Sequence, residues 1–367
     1  MTTTGTLSAS VPTTARRRWP AQLEEALLPP LVALLVALVV GDVLILAFGQ
    51  QPTRVYELLL QGTWGNAYGF GQVLYKTVTL TFTGLAVAVG MQAGLFNIGA
   101  ESQLAAGGFL AAVCSLYLPA GTPMVLAVAI CLVAAAVGGG VVGWVPGILK
   151  ARTGAHEVIV TIMLNFVVLA LLNWIVASHL HVPETLHTPE THTAALSRLS
   201  SFFPALHGSA ANTSIVLAVV VAALVWFYMY RTRGGYELRA VGLQPEASEY
   251  GGIDVPNVWL KAMVISGALA GLGGVNFALG YKHYYEDGFA GGAGFMGIAV
   301  ALVGRNNPFG VLLAALLFAT LSQGGLAIHA EVPKQMVDVL EAVVIIAVAV
   351  AVPAVRFVLA RSRRAAA

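Results

Sequence analysis

Charge is what this sequence lacks most. Only 10% of its 367 residues are Asp, Glu, Lys or Arg, against 58% hydrophobic, and the mean hydropathy is +0.82. Soluble domains carry about 25% charged residues. This chain has too few to cover a water-facing surface of its size, which excludes a large soluble enzyme and a disordered chain alike. A net charge of +2 leaves no basic excess for nucleic acid. Cysteine is scarce too. Cys114 and Cys131 both lie in apolar runs and make neither a disulfide framework nor a metal pattern. There is no Gly-Lys dipeptide, hence no G-x-x-x-x-G-K-[ST] phosphate loop, and the chain cannot hydrolyse ATP by that machinery. His156-Glu157 has no second histidine at position 160, so the zinc-protease pattern fails. Gly292-x-Gly294-x-x-Gly297 matches a dinucleotide fingerprint literally, but it leads into an apolar run without βαβ context. No nucleophile–base arrangement has a supporting context, which argues against an enzyme.

What is present is a series of apolar runs. A membrane-spanning helix needs about 20 mostly apolar residues. Runs fall near 27–48, 74–92, 98–118, 123–146, 157–178, 212–230, 258–280, 295–303, 308–328 and 335–355, which predicts an all-α polytopic membrane protein of about ten helices. One transmembrane domain then covers 27–355, between a Thr/Ser-rich tail (1–26) and a basic tail (356–367). The run at 295–303 is too short to cross alone and reads as a half-helix among its neighbours, or one extended into its flanks. The first run exceeds the 7–15 apolar residues of a signal peptide and lacks an A-x-A-like site, so an uncleaved helix is expected.

The placement of the basic residues orients the chain. With the N-terminus in the cytoplasm, the inside segments hold Arg16, Arg17, Arg18, Lys150, Arg152, Arg231, Arg233, Arg239, Arg305, Arg356, Arg361, Arg363 and Arg364. The outside segments hold Arg54, Lys76, Arg198, Lys282 and Lys334, and Lys261 lies just inside the seventh run. This asymmetry predicts both termini in the cytoplasm. Glycine is abundant, at 40 residues. Gly90-x-x-x-Gly94, Gly139-x-x-x-Gly143-x-x-x-Gly147 and Gly267-x-x-x-Gly271 are expected to set small residues on one helix face for tight packing.

Polar groups inside apolar runs are costly and are functional candidates by default. Asn97, Glu101 and Gln103 cluster at the start of the third run. They tie the Leu95–Gly99 turn to a neighbour or border a path. Glu157, Thr161 and Asn165 are spaced i, i+4, i+8, which drifts only about 40° per step and makes one polar stripe. Glu157 is either an interfacial charge favoured by a helix N-terminus or part of the pathway. Asn276 lies in the seventh run, and Asp42 in the first is expected to bond a neighbouring helix. Asp338 and Glu341 fall near the outer end of the tenth, where Asp338 is expected to be solvated. Residues 179–211 carry His179, His181, His187, His192 and His207 without metal-site spacing and read as a solvated external loop. Tyr281, Tyr284 and Tyr285 are placed at the outer interface, as an aromatic belt or as a contact for solute or partner.

The cytoplasmic segment 231–257 has the pattern of a structured insert. Pro245 suits a first helical turn, and Glu246 and Glu249 then fall where the helix dipole favours acids. Ala247 and Tyr250 share a face that can fill a groove in a partner. Gly251-Gly252 would end the helix.

Three strings carry a resemblance: GLFNIGAESQLAAGG (94–108), GAHEVIVTIMLN (154–165) and YKHYYEDGFAGGAGFMGIAVALVGRNNPFG (281–310). They resemble the nucleoside and simple-sugar branch of bacterial ABC permeases. RAVGLQPEASEYGGIDV (239–255) and SGALAGLGG (266–274) are similar to the wider superfamily, which also serves ribose and branched-chain amino acids. The likeness covers roughly residues 74–350. Family members read Glu-Gly-Gln where this chain has Glu101-Ser102-Gln103. The resemblance implies a type II-like import permease of the plasma membrane. It would pair with a second, similar permease, an external solute-binding lipoprotein and a cytoplasmic ATPase, which would hold the ATP and Mg; no cofactor is expected in this chain. It also places the ATPase-docking element at Gly242 to Gly251. FNIGAESQLAAGGFLAAV and FMGIAVALVGRNNPFGVLLAAL are weakly alike, and transporters are often built from repeats. A competing class is an ion- or proton-coupled secondary transporter with Glu101 or Glu157 as the titrating carboxylate. Nucleoside, ribose-like sugar and branched-chain amino acid are not separated by periodicity.

Overall fold

Apolar sequence with few charges satisfies its backbone internally, and helix is the local way to do so. The computed structural model describes residues 38–191 and 193–329, with isolated positions among 32–37 and 338–350. Both tails, most of the tenth run, His192 and Glu341 lie outside the described residues. The helices are α1 (Leu38–Ala47), α2 (Pro52–Thr63), α3 (Ala67–Gln92), α4 (Ala100–Tyr117), α5 (Met124–Thr153), α6 (Glu157–Ile175), α7 (Ser214–Arg231), α8 (Arg233–Leu243), α9 (Pro245–Tyr250), α10 (Val255–Gly273), α11 (Val275–Ala278), α12 (Ala293–Val303) and α13 (Pro308–Ala327). Among the described residues, six segments are long and apolar enough to cross a membrane: α3, α5, α6 with its π-helical extension to Leu180, α7, α10 with α11, and α13. The described residues contain no strand, only two isolated bridges, His187–Glu286 and Arg198–Asn212.

Several boundaries differ from those expected. α3 begins at Ala67 rather than 74, because Asn66 caps it by accepting from the Gly69 N–H at 2.5 Å. Lys76, counted above with the outside segments at the edge of the 74–92 run, therefore lies well inside a long helix. α5 runs through Pro146 to Thr153 and stops at Gly154, whose φ of 68° is left-handed. Neighbouring helices tolerate such a proline in an apolar helix. α2 and α8 were not expected. Pro52 opens α2, and Thr232 caps α8 by accepting from the Gly235 N–H at 3.1 Å. α12 is short, as its apolar run predicted. His179, His181 and His207 are exposed, as expected, but their segment is not loose. Thr188 and Leu196 donate backbone hydrogen bonds to Tyr285 and Leu279, both at 2.9 Å, which lays this stretch over the 279–285 segment.

Glycine sets the packing. α5 and α10 form the most extensive helix contact. A Cβ on Gly139 would strike the Gly267 carbonyl, and one on Gly271 would strike that of Ala135. The expected small-residue faces are therefore a seam between these two backbones. Gly90-x-x-x-Gly94 is different: α3 has already ended, and Gly94 (φ 74°) sits in a left-handed turn. The dinucleotide-like glycines also belong to packing, since Gly294 lies against the Glu101 backbone and Gly297 against Thr83.

Candidate translocation site

A cavity of about 370 Å³ lies between α3, α4, α10–α11, the loop before α12, and α13. Tyr75, Phe277 and Phe289 give it aromatic surface, and Leu80, Leu104, Met296 and Phe318 supply aliphatic and ring surface. Lys76, Thr79 and Ser322 bring polar groups to it, with the Lys76 Nζ donating to the Ser322 Oγ at 3.2 Å. Gly291, exposed, brings the cavity to the surface.

Part of the cavity wall is the start of a half-helix. Gly292, at φ 85°, precedes α12 and lines the cavity together with Ala293. The Glu101 carboxylate accepts from the backbone N–H groups of Gly292 and Gly294, each at 2.7 Å. These donors are among those a helix N-terminus leaves unpaired, and the dipole there favours an acid. Glu101 itself stands in the first turn of α4 and is 6% exposed. Two helix N-termini thus meet inside the bundle.

The start of α4 is held by a polar cluster. The Asn97 Nδ2 donates to Gln103 at 2.8 Å and to Ser266 of α10 at 2.7 Å, while its Oδ1 accepts from the Gly99 N–H at 2.9 Å. Asn165 of α6 brackets the same turn, donating to the Ile98 carbonyl at 3.0 Å and accepting from the Ser102 N–H at 3.1 Å. The stripe Glu157, Thr161 and Asn165 is the buried seam of a helix whose other faces expose Ile159, Met163, Phe166 and Val167. Thr161 packs against Gly99 and bonds the Glu157 carbonyl at 2.8 Å. Glu157 forms an ion pair with Lys150 at 2.9 Å, next to Trp259.

None of the seven residues expected along a path lines the cavity. Glu101 stands behind its wall through Gly292, and Asn276 behind its α3 side. The Asn276 amide has four partners: it donates to the Tyr75 carbonyl and Thr79, and accepts from Asn212 and Ser214. Asn97, Gln103, Thr161, Asn165 and Glu157 lie farther along, at the α4 turn and the α5–α6 corner. Sequence reasoning missed Tyr75, Phe277, Phe289 and Ser322, because a ring or hydroxyl in an apolar run carries no periodic signal. Lys76 was the one legible clue, and counting it with the outside segments hid it. Of the three tyrosines assigned to an interface, Tyr285 is 1% exposed and packs edge-on against Phe109. Tyr284 stacks on His187 at 4.4 Å, and Tyr281 meets Tyr75. Asp42 accepts from the Tyr56 hydroxyl of α2 at 2.9 Å, as a helix-bonding acid, and Asp338 is exposed.

The opposite end of α3 carries a second surface. Gly242 of α8 rests against Gln92 and Gly94, where a Cβ would strike the Gln92 carbonyl. From Gln244 to Gly252 every residue except Ser248 is exposed, and Leu243 and Tyr250 are 87% and 95% exposed. α9 begins at Pro245, as predicted, with Glu246 in its first turn, and ends at Gly251 and Gly252, the latter at φ 83°. Ala247, Gly251 and Tyr236 border a groove between α8 and α9.

This arrangement has relatives among characterised proteins. The guanosine ABC transporter permease protein of Bacillus subtilis is 37% identical over 341 residues, 92% of this chain and 97% of the relative. The nucleoside ABC transporter permease protein of Lactococcus lactis subsp. cremoris is 35% identical over 330 residues, 88% of this chain and 90% of the relative. The glucose ABC transporter permease protein of Haloferax volcanii is 33% identical over 346 residues, 90% of this chain and 88% of the relative. Residues 69–349 match the family described as branched-chain amino acid transport system permease components. With that match running from the start of α3 to residue 349, the chain belongs to this family of membrane-embedded ABC transporter permeases.

Proposed function

We propose that this chain imports nucleosides across the bacterial plasma membrane as one permease of an ATP-driven complex. A second permease, an external solute-binding lipoprotein and a cytoplasmic ATPase carrying ATP and Mg complete the complex. The observation that carries this reading is the two-ended use of α3. Tyr75, Lys76, Thr79 and Leu80 line a cavity near one end, and Gln92 meets the exposed α8–α9 unit at the other. The two lie about 25 Å apart at 1.5 Å per residue. The chain also has no phosphate loop of its own, so energy comes from elsewhere, and the exposed α8–α9 unit offers an ATPase a place to dock. The guanosine and nucleoside relatives support the solute class. The glucose relative keeps a simple sugar as the second reading.

A physical route joins the two ends. α9 docks in the ATPase through Glu246, Ala247 and Tyr250, and Gly242 presses on the turn after α3. That turn leads into Asn97, Gln103 and the first residues of α4, where Glu101 holds the N-terminus of α12 at the cavity wall. Glu157, Thr161, Asn165 and Asn276 frame the path by fixing the helices beside it. The charge distribution supports ten spans with both termini in the cytoplasm.

The test is reconstitution of the two permeases with ATPase and lipoprotein in vesicles. Guanosine uptake that requires ATP is expected. Uptake driven by a proton gradient without ATP would replace this reading with a coupled secondary transporter, and ATP-driven uptake of leucine alone would replace the solute.

A further inference from the structure

The cavity wall is one stretch of a six-ring chain. Tyr75 and Tyr281 lie 5.3 Å apart, Tyr281 and Phe277 6.1 Å, Phe277 and Phe289 4.7 Å, Phe289 and Tyr285 4.9 Å, and Tyr285 and Phe109 5.3 Å. Only Tyr75, Phe277 and Phe289 face the cavity. The other rings fix their positions. Tyr285 is fully packed, and its N–H donates to the Thr188 Oγ1 at 3.0 Å. The tip of the Phe289 ring sits on Gly108, where a Cβ would collide with it. Phe277 meets Phe289 edge to face at 68°, so the pair forms a rigid corner. Lys76 and Ser322 put polar donors at the same cavity. Its volume of about 370 Å³ lies within the range of small-ligand sites, about 300–1,000 Å³.

A ring corner beside a polar pair matches a solute with one flat apolar face and one hydroxylated part. We propose that Phe277 and Phe289 are specificity-determining residues that stack against the heterocyclic base of the solute in transit, and that they favour purines. Purines offer the larger stacking face. The proposal rests on the nucleoside reading above and adds that this subunit itself, besides its lipoprotein partner, discriminates among bases.

The test uses the complete complex in vesicles with saturating lipoprotein loaded with guanosine, adenosine, uridine or cytidine. Wild type is compared with Phe277→Leu, Phe289→Leu and Phe277→Tyr. The leucine variants are expected to lower purine uptake about tenfold, the scale of one lost base–aromatic stack. Pyrimidine uptake should fall less, so the purine-to-pyrimidine ratio drops, while Phe277→Tyr retains it. An equal fall for all four solutes, or no fall, with assembled complex would overturn the proposal while leaving the nucleoside reading intact. A wild-type complex that imports sugar and no nucleoside would remove both.

Discussion

Glu101 occupies the point where α12 begins, and that position limits what can replace it. Its two oxygens serve the Gly292 N–H at the cavity wall and the buried Gly294 N–H, which has no water to turn to inside the bundle. Glu101→Ala strands both donors at a cost of about 1–3 kcal/mol for a buried unsatisfied group, whereas Glu101→Gln keeps one acceptor. The melting midpoint in detergent should fall most for Ala and less for Gln. An Ala midpoint equal to wild type would mean that other groups satisfy α12. Asn165 makes a second test. Asn165→Ala and Glu157→Ala, which release the α4 turn and Lys150, are expected to reduce uptake severalfold with the complex still assembled. Wild-type uptake in both variants would leave the seam a purely structural one. The stripe of Glu157, Thr161 and Asn165 was legible in the sequence because a helical period is local. The partners of Glu101 were not, since they lie 191 and 193 residues away. Tyr75 and Phe277 were invisible for another reason: an aromatic side chain in an apolar run looks the same whether it meets lipid, core or solute.

At the scale of elements, α8 and α9 show how far local signals reach. Pro245 at one end and Gly251-Gly252 at the other made α9 readable. α8 escaped because Gly234-Gly235 reads as a break in a helix. Gly235 is needed there for closeness: a Cβ would strike the Tyr228 carbonyl where α8 folds back on α7. Gly242 is held the same way against α3. Gly242→Val should push α8 off the Gln92–Gly94 turn while leaving exposed α9 intact. The expected result is a complex that binds its ATPase and hydrolyses ATP but imports at least tenfold less guanosine. Glu246→Lys with Tyr250→Ala should instead reduce ATPase association in co-purification. Normal uptake and solute-stimulated hydrolysis in these variants would place the docking and coupling element elsewhere.

For the molecule as a whole, the direction of α3 orders everything else. Its cavity end and its α8 end must face opposite sides of the membrane if solute enters at one and ATPase docks at the other. The basic residues choose between the two directions. Lys150, Arg152, Arg231, Arg233, Arg239 and Arg305 gather at the corners and turns on the α8 side, so the positive-inside rule predicts that side in the cytoplasm. The short helices fit this frame. α12 starts at the Glu101 carboxylate inside the bundle and ends at the Arg305–Asn307 turn, where the Asn306 carbonyl accepts from Gln92 at 3.3 Å. It therefore covers only the α8 half of the thickness. Its irregular lead-in, residues 281–292, is covered by residues 185–196 and the aromatic chain, the kind of protein shelter that non-helical backbone at depth requires. Labelling can decide the orientation. With Cys114 and Cys131 replaced by alanine, single Glu190→Cys, Tyr284→Cys and Glu246→Cys variants are treated with a membrane-impermeant maleimide on intact cells. Glu190 and Glu246 are exposed and Tyr284 is half-buried, so access is set by the membrane more than by packing. Labelling is expected at 190 and 284, and at 246 only after the cells are opened. Labelling at 246 in intact cells would invert the molecule, set the docking helix outside, and leave the cavity facing the ATP.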